Sequence, residues 1–386
     1  MPKFLVLGAG KMGVALARDL ISSSPKNWVT LVDVNSDHLK KAQNFIRSER
    51  LITLQRNVED SAQMDELFQG HDVAVAALLH KHSLMALEAA VRNGVHLVDV
   101  VGEKPLERLA YGNKAEEKNI TVIPGCGLAP GIDNICVGRG VRLLEETERA
   151  IIYVGGNPLK PKPPLKYNVL YAAESLLSFY QRKAFVLRKG RVKEVEPLSG
   201  IETVSFPPPF LNMECFYTDG LSSLLYSMKG KIKKELAEKT VRYPGHARVV
   251  RMLKRCGFFS REPIQVGKQK VIPLEFTAAF LESKYALGEE GDVTLMRVEV
   301  SGKKSGESRT HVFELLDFYD PETRTTSMAR STAFPASIAA QMIASGEISQ
   351  RGVVFPEDVF QGSLFKPFVR ELKKRGIAIK HRVEKG

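Results

Sequence analysis

Hydrophobic positions over the first 124 residues alternate between short continuous runs and runs with a helical period. Continuous apolar runs are typical of strands that are buried on both faces of a parallel sheet. The predicted strands are residues 4–7, 28–32, 51–54, 73–79, 95–98 and 120–123. The segments between them predict helices, so the pattern indicates an α/β fold with a six-stranded, doubly wound parallel sheet.

The pattern changes after Gly131. An apolar run at residues 151–154 precedes a proline-rich loop at 158–164, and residues 295–300 and 311–316 predict a hairpin. These features predict an α+β domain with a mostly antiparallel sheet, inserted after the parallel sheet.

A helix rich in small residues is predicted at 333–345. The pattern therefore predicts that the chain has three parts: a dinucleotide-binding Rossmann domain at 1–128, a substrate domain at 129–325, and C-terminal helices at 326–386. The pattern alone leaves open whether these helices pack on the substrate domain or return to the first sheet.

Composition is that of a soluble two-domain protein, with 386 residues, 44% hydrophobic and 26% charged. The net charge of +12 is concentrated at 229–239, 248–255 and 366–382, where it predicts solvated helix faces. No nucleic-acid-binding motif and no bilayer-spanning apolar run is present, so we expect neither a nucleic acid nor a membrane partner. The first strand begins almost at Met1 and the four cysteines show no metal spacing, which predicts a cytoplasmic protein without a metal site.

A glycine-rich turn joins the first predicted strand to the first helix. In a Gly-x-Gly-x-x-Gly turn, Gly8 permits the tight bend, Gly10 lets a pyrophosphate approach the backbone, and Gly13 lets the helix pack on the strand. Asp33 stands twenty residues after Gly13, where its carboxylate binds the adenosine ribose and repels a 2′-phosphate. The sequence therefore predicts NAD as the cofactor. The predicted contacts here are Gly8, Gly10, Lys11, Met12, Gly13 and Asp33.

Further cofactor contacts are expected where the other parallel strands end, because ligands of open α/β sheets bind at that edge. The candidates are Ala77, Leu78, Leu79, Asp99, Gly125, Ala129, Pro130, Gly131 and Asn134. Pro130 and Gly131 are predicted to shape the backbone under the nicotinamide, and Asn134 to bind its carboxamide. An interdomain hinge is an alternative interpretation of the same loop.

The loop that ends in Asn134 resembles the G-x-A-P-G-x-x-N segment of the saccharopine dehydrogenase superfamily. Segments 153–156, 160–165, 218–221, 240–246 and 328–332 resemble, more narrowly, the lysine 6-dehydrogenases. The resemblance implies oxidation of the lysine ε-amine by NAD, release of ammonia, and allysine that cyclises to 1-piperideine-6-carboxylate. It also implies a homodimer or higher homo-oligomer, and C-terminal helices that return to the Rossmann domain.

Two other functions stay open. One is a saccharopine- or carboxynorspermidine-type reductase of the same superfamily, and the other is a non-catalytic NAD-binding protein. The role of Lys104, in a Gly-Glu-Lys-Pro segment, is also open.

Recognition of lysine requires a cation for the α-carboxylate and an acid for the α-ammonium. Arg242 is the candidate for the carboxylate, with a surface arginine as the alternative. Asp219 is the candidate for the α-ammonium and is also a catalytic candidate. The alternative is that Asp219 caps the N-terminus of a helix over 221–228. Tyr217 is assigned to the same substrate site. His246 is the second catalytic candidate, as a base for the ε-ammonium proton or for water, with a turn-stabilising histidine as the alternative.

Overall fold

The computed structural model describes residues 1–288 and 290–385, with the side chain of His80 outside the described set. Its internal contacts divide the chain into two compact units. Unit 1 contains residues 1–139, 222–224 and 329–378, and unit 2 contains residues 140–221, 225–328 and the described residues from 379 onward.

The structure contains strands and helices in alternation over unit 1 and longer strands in unit 2. The strands are β1 (Lys3–Leu7), β2 (Trp28–Asp33), β3 (Leu51–Gln55), β4 (Val73–Ala76), β5 (His96–Asp99), β6 (Thr121–Ile123), β7 (Glu146–Pro158), β8 (Ala184–Arg188), β9 (Arg191–Val195), β10 (Glu202–Val204), β11 (Met213–Tyr217), β12 (Ile232–Arg242), β13 (Ile264–Val266), β14 (Gln269–Val271), β15 (Asp292–Lys304), β16 (Glu307–Phe318), β17 (Gly352–Val353) and β18 (Ile379–Lys385). The helices are α1 (Lys11–Ser23), α2 (Ser36–Ile46), α3 (Ser61–Phe68), α4 (His80–Asn93), α5 (Pro105–Leu109), α6 (Gly112–Glu117), α7 (Ile132–Leu143), α8 (Ala173–Phe179), α9 (Leu224–Ser227), α10 (His246–Arg255), α11 (Pro273–Tyr285), α12 (Ser327–Ala344), α13 (Pro356–Val359) and α14 (Phe365–Lys374). Among the described helices, none combines the length and the apolar composition that a bilayer crossing needs.

The sheet of unit 1 confirms the predicted doubly wound arrangement. Its seven strands lie in the order β17-β6-β5-β4-β1-β2-β3, and every neighbouring pair is parallel. The central strand β1 is fully buried from Phe4 to Leu7, as expected for a strand covered on both faces. The strand order changes direction between β1 and β4, which is the edge position where such sheets bind ligands.

Unit 1 differs from the prediction in three respects. Its sheet has seven strands in place of six, because β17, in the part of the chain predicted to be helical, pairs with β6. β4 ends at Ala76, because residues 77–79 leave the sheet as a loop beside the glycine-rich turn. The single helix predicted near 106–118 is divided into α5 and α6 by a turn at Ala110–Tyr111.

The sheet of unit 2 has nine strands and is mostly antiparallel, as predicted, with one parallel pair between β7 and β12. The predicted hairpin is β15 and β16, in which Leu295 is opposite Leu316 and Val300 is opposite His311. Side chains alternate between the two faces of a strand, so Ala237 and Val241 on one face of β12 pack into an apolar cluster, while Arg242 lies on the other face.

The C-terminal helices α12 and α14 pack with α1 inside unit 1. Arg375 Nε donates to the Asp19 carboxylate at 2.8 Å, and Ser337 Oγ donates to the same carboxylate at 2.6 Å. All three side chains are nearly buried, so this ion pair is shielded from water. Residues 379–385, expected among C-terminal helices, instead form β18, which pairs antiparallel with β16 in unit 2.

Candidate functional site

The glycine-rich turn of unit 1 connects β1 to α1 at the carboxyl end of the sheet. Gly8 has a φ of 99°, in the left-handed region that favours glycine. A Cβ on Gly13 would collide with the carbonyl oxygen of Gly8, whereas a Cβ on Gly10 would meet no atom within 4 Å. The turn therefore packs tightly underneath and leaves open space at Gly10, as a pyrophosphate requires.

The N-terminus of α1 lies at this open space. Lys11, Met12 and Gly13 form the first turn of α1, whose amides have no intrahelical partner by geometry. The N-cap residue, Gly10, has no side chain that could cap this end of the helix. These amides and the positive end of the helix dipole therefore suit an anionic diphosphate.

Asp33 lies at the end of β2, next to the turn. Its Oδ2 accepts a hydrogen bond from Ala9 N at 2.7 Å, and its Oδ1 accepts one from Asn35 N at 2.8 Å. The side chain is 14% exposed, and His38 Nδ1 lies 3.7 Å from Oδ1. Backbone amides thus fix the carboxylate beside the glycine-rich turn, where the sequence places a ribose contact.

The loop after β4 borders the same turn. A Cβ on Gly8 would lie 2.5 Å from the carbonyl oxygen of Ala77 and 3.5 Å from the side chain of Leu78, and Leu79 is half-exposed. These three residues lie where the sequence predicts them, at the carboxyl end of β4.

Asp99 does not line this edge with a free carboxylate. Its side chain is fully buried, and its Oδ2 accepts hydrogen bonds from Arg108 Nη1 at 2.8 Å and from the Ser83 hydroxyl. Burial raises the pKa of the Asp99 carboxyl, which the Arg108 charge opposes. The structure gives Asp99 a structural role in place of the predicted cofactor contact, because Arg108, nine residues later, occupies it.

The loop after β6 contains the remaining cofactor candidates. Gly125 has a φ of 68° and packs against Pro130, Gly131 has a φ of 145°, and Ala129 stands between them. Asn134 is fully buried, and its Oδ1 accepts a hydrogen bond from Gly131 N at 3.3 Å.

The side-chain amide of Asn134 donates to Ser223 Oγ at 3.0 Å and to Glu357 Oε2 at 3.3 Å. Asn134 therefore anchors its own loop inside unit 1, in place of the predicted carboxamide contact. The adjacent Asp133 is also buried, and burial, with Glu357 nearby, raises its pKa to about 8.

Unit 2 contains a buried polar cluster around Arg242, at the end of β12. Arg242 is 3% exposed and donates from Nη1 to Val241 O at 2.9 Å and to Gly156 O at 3.3 Å. A Cβ on Gly155 would lie 2.8 Å from Nη1, so glycine at this position makes room for the guanidinium. Within residues 1–288 and 290–385, no carboxylate forms an ion pair with Arg242. A buried cation without a counter-ion is costly, so the site suits an anionic ligand group.

Tyr180 connects Arg242 to His246. Arg242 Nε donates to the Tyr180 hydroxyl at 3.1 Å, and that hydroxyl lies 3.0 Å from His246 Nε2. His246 Nδ1 lies 2.9 Å from Leu165 O, which can only accept, so Nδ1 carries the proton and Nε2 accepts from Tyr180. Burial, with the Arg242 charge, lowers the pKa of His246 to about 3. These contacts favour a neutral histidine that orients Tyr180 over a histidine that takes protons from a substrate.

Like Tyr180, two further buried polar residues beside Arg242 were not predicted. The ring of Tyr167 lies 4.6 Å from the guanidinium carbon, and Asn157 donates to Val241 O at 3.3 Å. Within the part of the chain that the structure describes, the Tyr167 hydroxyl and Asn157 Oδ1 have no hydrogen-bond partner. In the sequence, Asn157 directly follows the Gly155-Gly156 pair, and Tyr167 follows the proline-rich loop at 158–164. These neighbouring features are the signal that could have indicated both residues.

Asp219 pairs with an arginine, and Tyr217 lies on the other face of the sheet from Arg242. Asp219 Oδ2 is 3.3 Å from Arg182 Nε, and the carboxylate is about one-quarter exposed. It is not a helix cap, because α9 begins at Leu224. Tyr217 pairs with Lys239 in the neighbouring strand, which places it on the face of the sheet opposite to Arg242. The structure therefore brings His246 together with Arg242, and leaves Tyr217 apart from them.

No group of three or more candidate metal ligands is found in the described residues. The rings of His311 and His381 stack on each other where β16 pairs with β18, and His311 Nδ1 lies 3.0 Å from His381 Nε2.

Comparisons with known proteins cover nearly the whole chain. The family model Saccharopine dehydrogenase NADP binding domain matches residues 4–123, and Saccharopine dehydrogenase C-terminal domain matches residues 127–377. A saccharopine dehydrogenase (NADP+, L-glutamate-forming) from Schizosaccharomyces pombe is 23% identical, over 99% of both chains. A carboxyaminopropylagmatine dehydrogenase from Synechocystis is 21% identical, over 98% of this chain and 96% of that one. The apo saccharopine dehydrogenase (L-Glu forming) structure from Saccharomyces cerevisiae has a TM-score of 0.81 at 18% identity and covers 100% of both chains.

Proposed function

Because the chain belongs to the saccharopine dehydrogenase family of oxidoreductases, we propose that it catalyses the NAD-dependent oxidation of the ε-amine of L-lysine. The products are allysine, which cyclises to 1-piperideine-6-carboxylate, and ammonia, with one water consumed and one NAD reduced. The observation that carries the proposal is Arg242, a buried cation without an acidic partner in the described residues, which fits an amino-acid carboxylate.

The pyridine nucleotide is proposed to be NAD. The open space at Gly10 and the first turn of α1 fit its diphosphate, and Asp33 fits its ribose hydroxyls. The anionic Asp33 carboxylate disfavours a 2′-phosphate, which distinguishes this proposal from the NADP+ in the name of the Schizosaccharomyces pombe relative. The bound nucleotide supplies the hydride acceptor.

The amino-acid end of lysine is proposed to bind at the Arg242 cluster. Arg242 Nη2 makes no hydrogen bond within the described residues, so it is available to a carboxylate. Asn157 Oδ1 is an acceptor without a partner there and suits the α-ammonium, and the Tyr167 hydroxyl can serve either group. Asp219 stays a second prediction for an ammonium group, although Arg182 already neutralises its charge.

The ε-ammonium must lose a proton before hydride can leave its carbon. With an ordinary pKa near 10.4, deprotonation at neutral pH costs on the order of 4 kcal/mol. A desolvated site lowers that cost, because it destabilises the ammonium form. In this proposal His246 positions Tyr180 and Arg242, and activity rises towards alkaline pH.

A different reaction within the same family is the second candidate. The relatives named for saccharopine and carboxyaminopropylagmatine favour a dehydrogenase that forms or cleaves a secondary amine. A protein that binds NAD without catalysis is the third.

One assay separates the three functions: the purified chain is incubated with L-lysine and NAD while NADH absorbance and ammonia are followed. NADH together with ammonia supports lysine oxidation. Turnover that requires a keto acid or a secondary amine supports the second candidate, and NAD binding without turnover on any of these supports the third. We also propose that the enzyme is a homo-oligomer.

A further inference from the structure

Glu238, on β12, is a buried acid in the nine-stranded sheet of unit 2. Its side chain is almost fully shielded from water. A Cβ on Gly220 would collide with the Glu238 carboxyl group, so glycine at position 220 makes room for it. Gly155 makes room for the Arg242 guanidinium in the same way. The chain therefore accommodates an acid and a base, both buried, on the same strand.

Glu238 and Arg242 lie on one face of β12. This strand pairs in regular register from position 235 to 242, first with β7 and then with β11. Side chains at 238, 240 and 242 therefore share a face. Thr240, between the two charged residues, is also buried, and its hydroxyl lies 2.7 Å from the Thr218 hydroxyl. The face that holds the proposed carboxylate receptor thus continues as a polar row that ends in an acid.

The spacing of the two charged residues matches the length of lysine. Four positions along a strand separate two Cα atoms by about 13 Å. An extended lysine measures roughly 7.5 Å from its carboxylate carbon to its ε-nitrogen, because each of six bonds advances the chain by about 1.25 Å. With a charge-assisted hydrogen bond of about 2.8 Å at each end, it spans roughly 13 Å. A lysine bound by Arg242 therefore reaches Glu238 when its side chain follows β12.

The position proposed for the α-ammonium gives the side chain this direction. β7 runs parallel to β12 with Val154 opposite Thr240, so position 157 is level with position 243. Asn157, proposed to bind the α-ammonium, is therefore on the side of Arg242 away from Glu238. With the α-ammonium at Asn157 and the carboxylate at Arg242, the lysine side chain extends towards Glu238.

Oxidation of the ε-amine requires a group that takes its proton. His246 is unsuited, because its Nε2 accepts from Tyr180 and its Nδ1 donates to Leu165 O. Asp219 is paired with Arg182. A buried carboxylate is suited, because desolvation disfavours both charges of an ammonium–carboxylate pair, and proton transfer removes both.

We propose, building on the proposed lysine oxidation, that Glu238 is the catalytic base that deprotonates the ε-ammonium. In this step an N–H bond of the substrate breaks and an O–H bond forms on the Glu238 carboxyl group. The electron pair of the broken bond stays on the nitrogen, where loss of hydride from the ε-carbon requires it. Arg242 and Glu238 together select a substrate that has a carboxylate at one end and a primary ammonium at the other.

The first test compares the pH dependence of kcat/KM for L-lysine in the wild type and in Glu238→Gln. The variant should be at least 100-fold slower at neutral pH, the usual value of a general base. Its kcat/KM should then rise tenfold per pH unit towards the lysine pKa near 10.4, because only the free amine reacts. The wild type should rise through one ionisation and level off at lower pH.

The matched control is Glu235→Gln. Glu235 is the other acid of β12, lies on the opposite face and pairs with Arg149, so its variant should keep the wild-type profile. A wild-type profile in Glu238→Gln overturns the proposal and leaves lysine oxidation standing. A wild type that does not oxidise lysine overturns the proposed function, and the base with it.

A second test restores the base from solution. Glu238→Ala leaves space for a small carboxylate, so sodium formate should raise its turnover at neutral pH at least tenfold, and sodium chloride at the same concentration should not. Far-UV circular dichroism and NAD affinity like those of the wild type show that the variant is folded. A folded Glu238→Ala that formate does not restore contradicts the assignment.

Glu238→Asp carries the test if the other two variants do not fold. It retains a carboxylate one methylene away, so it should keep the shape of the wild-type pH profile with a lower kcat. A rise of tenfold per pH unit in Glu238→Asp would show that its carboxylate takes no proton from the substrate.

Discussion

Tyr180 accepts a hydrogen bond from Arg242 Nε at 3.1 Å, which leaves the Nη2 group of the guanidinium available in a buried setting. The planar guanidinium is thereby held by a phenol and two carbonyl oxygens, all of them neutral. A neutral frame orients the cation without cancelling its charge. This is the arrangement expected of a carboxylate receptor, and it makes Arg242 the most direct place to test the proposed function.

Replacement of Arg242 by lysine is expected to raise KM for L-lysine about 100-fold, since loss of a buried, charge-assisted contact costs ~3 kcal/mol. Steady-state kinetics with L-lysine and with 1,5-diaminopentane, which lacks the carboxylate, provide the measurement. The wild type should prefer lysine strongly, and Arg242→Lys should treat the two amines nearly alike. Arg248→Lys, an exposed change on α10, is the matched control. A preserved preference for lysine in Arg242→Lys would place the carboxylate elsewhere.

His246 is expected to affect stability in acid more than the pH profile of catalysis. Its native pKa of about 3 lies below the ordinary value of 6.5, so between these values the unfolded chain binds one more proton than the native chain. The free energy of unfolding should therefore fall as pH falls below 6.5, by about 1.4 kcal/mol per pH unit from this residue. Urea denaturation at a series of pH values should show a shallower fall for His246→Asn.

The same variant tests the catalytic assignment of His246. If the residue positions Tyr180, His246→Asn lowers kcat/KM but leaves the shape of its pH profile unchanged. Loss of one limb of that profile would identify His246 as the proton acceptor after all.

Asp133 is expected to give the opposite pH dependence of stability. Its pKa of about 8 in the native chain lies above the ordinary value of 3.8, so the native state binds the extra proton between these values. The contribution of Asp133 to stability is present below about pH 4 and is lost as pH rises through 8. Relative to Asp133→Asn, the wild type should therefore lose free energy of unfolding between pH 5 and pH 9, measured by urea denaturation. Parallel curves for the two proteins would show that Asp133 ionises normally.

Asp33 should determine the choice between the two pyridine nucleotides. Isothermal calorimetry should find that NAD binds the wild type more tightly than NADP. Asp33→Ser should weaken NAD binding about 10- to 100-fold, the value of one or two hydrogen bonds to a charged group, and should bring NADP closer to NAD. Tighter binding of NADP by the wild type would refute the proposed cofactor.

The sequence predicted the features that depend on local pattern. Apolar runs identified the strands of the parallel sheet, the glycine spacing identified the turn at Gly8, and alternation identified the hairpin in which Leu295 faces Leu316. Each of these signals lies within about thirty residues, and each follows from a steric or burial requirement that a short segment must satisfy.

Features that depend on distant partners were not predictable in the same way. Asn134 has the composition of a ligand-binding residue, yet its amide is used by Ser223 and Glu357, which lie 89 and 223 positions away. The neighbours of Arg242 likewise come from three separate segments, which meet only after the sheet of unit 2 has formed. A polar residue at a strand end shows that a site is possible there, and only the tertiary structure shows whether another side chain already occupies it.

The short strand β17 has a consequence for any attempt to dissect the chain. It lies at the edge of the parallel sheet beside β6, where Gly352 N donates to Ile120 O at 2.8 Å and Thr121 Oγ1 donates to Gln350 O at 2.5 Å. An excised nucleotide-binding fragment that stops near residue 128 would lack this strand and would leave the edge of β6 open to aggregation. A soluble fragment should instead require a fusion that reconnects residues 1–139 to residues 329–378, because the fold of the first segment is completed by amino acids translated some two hundred positions later.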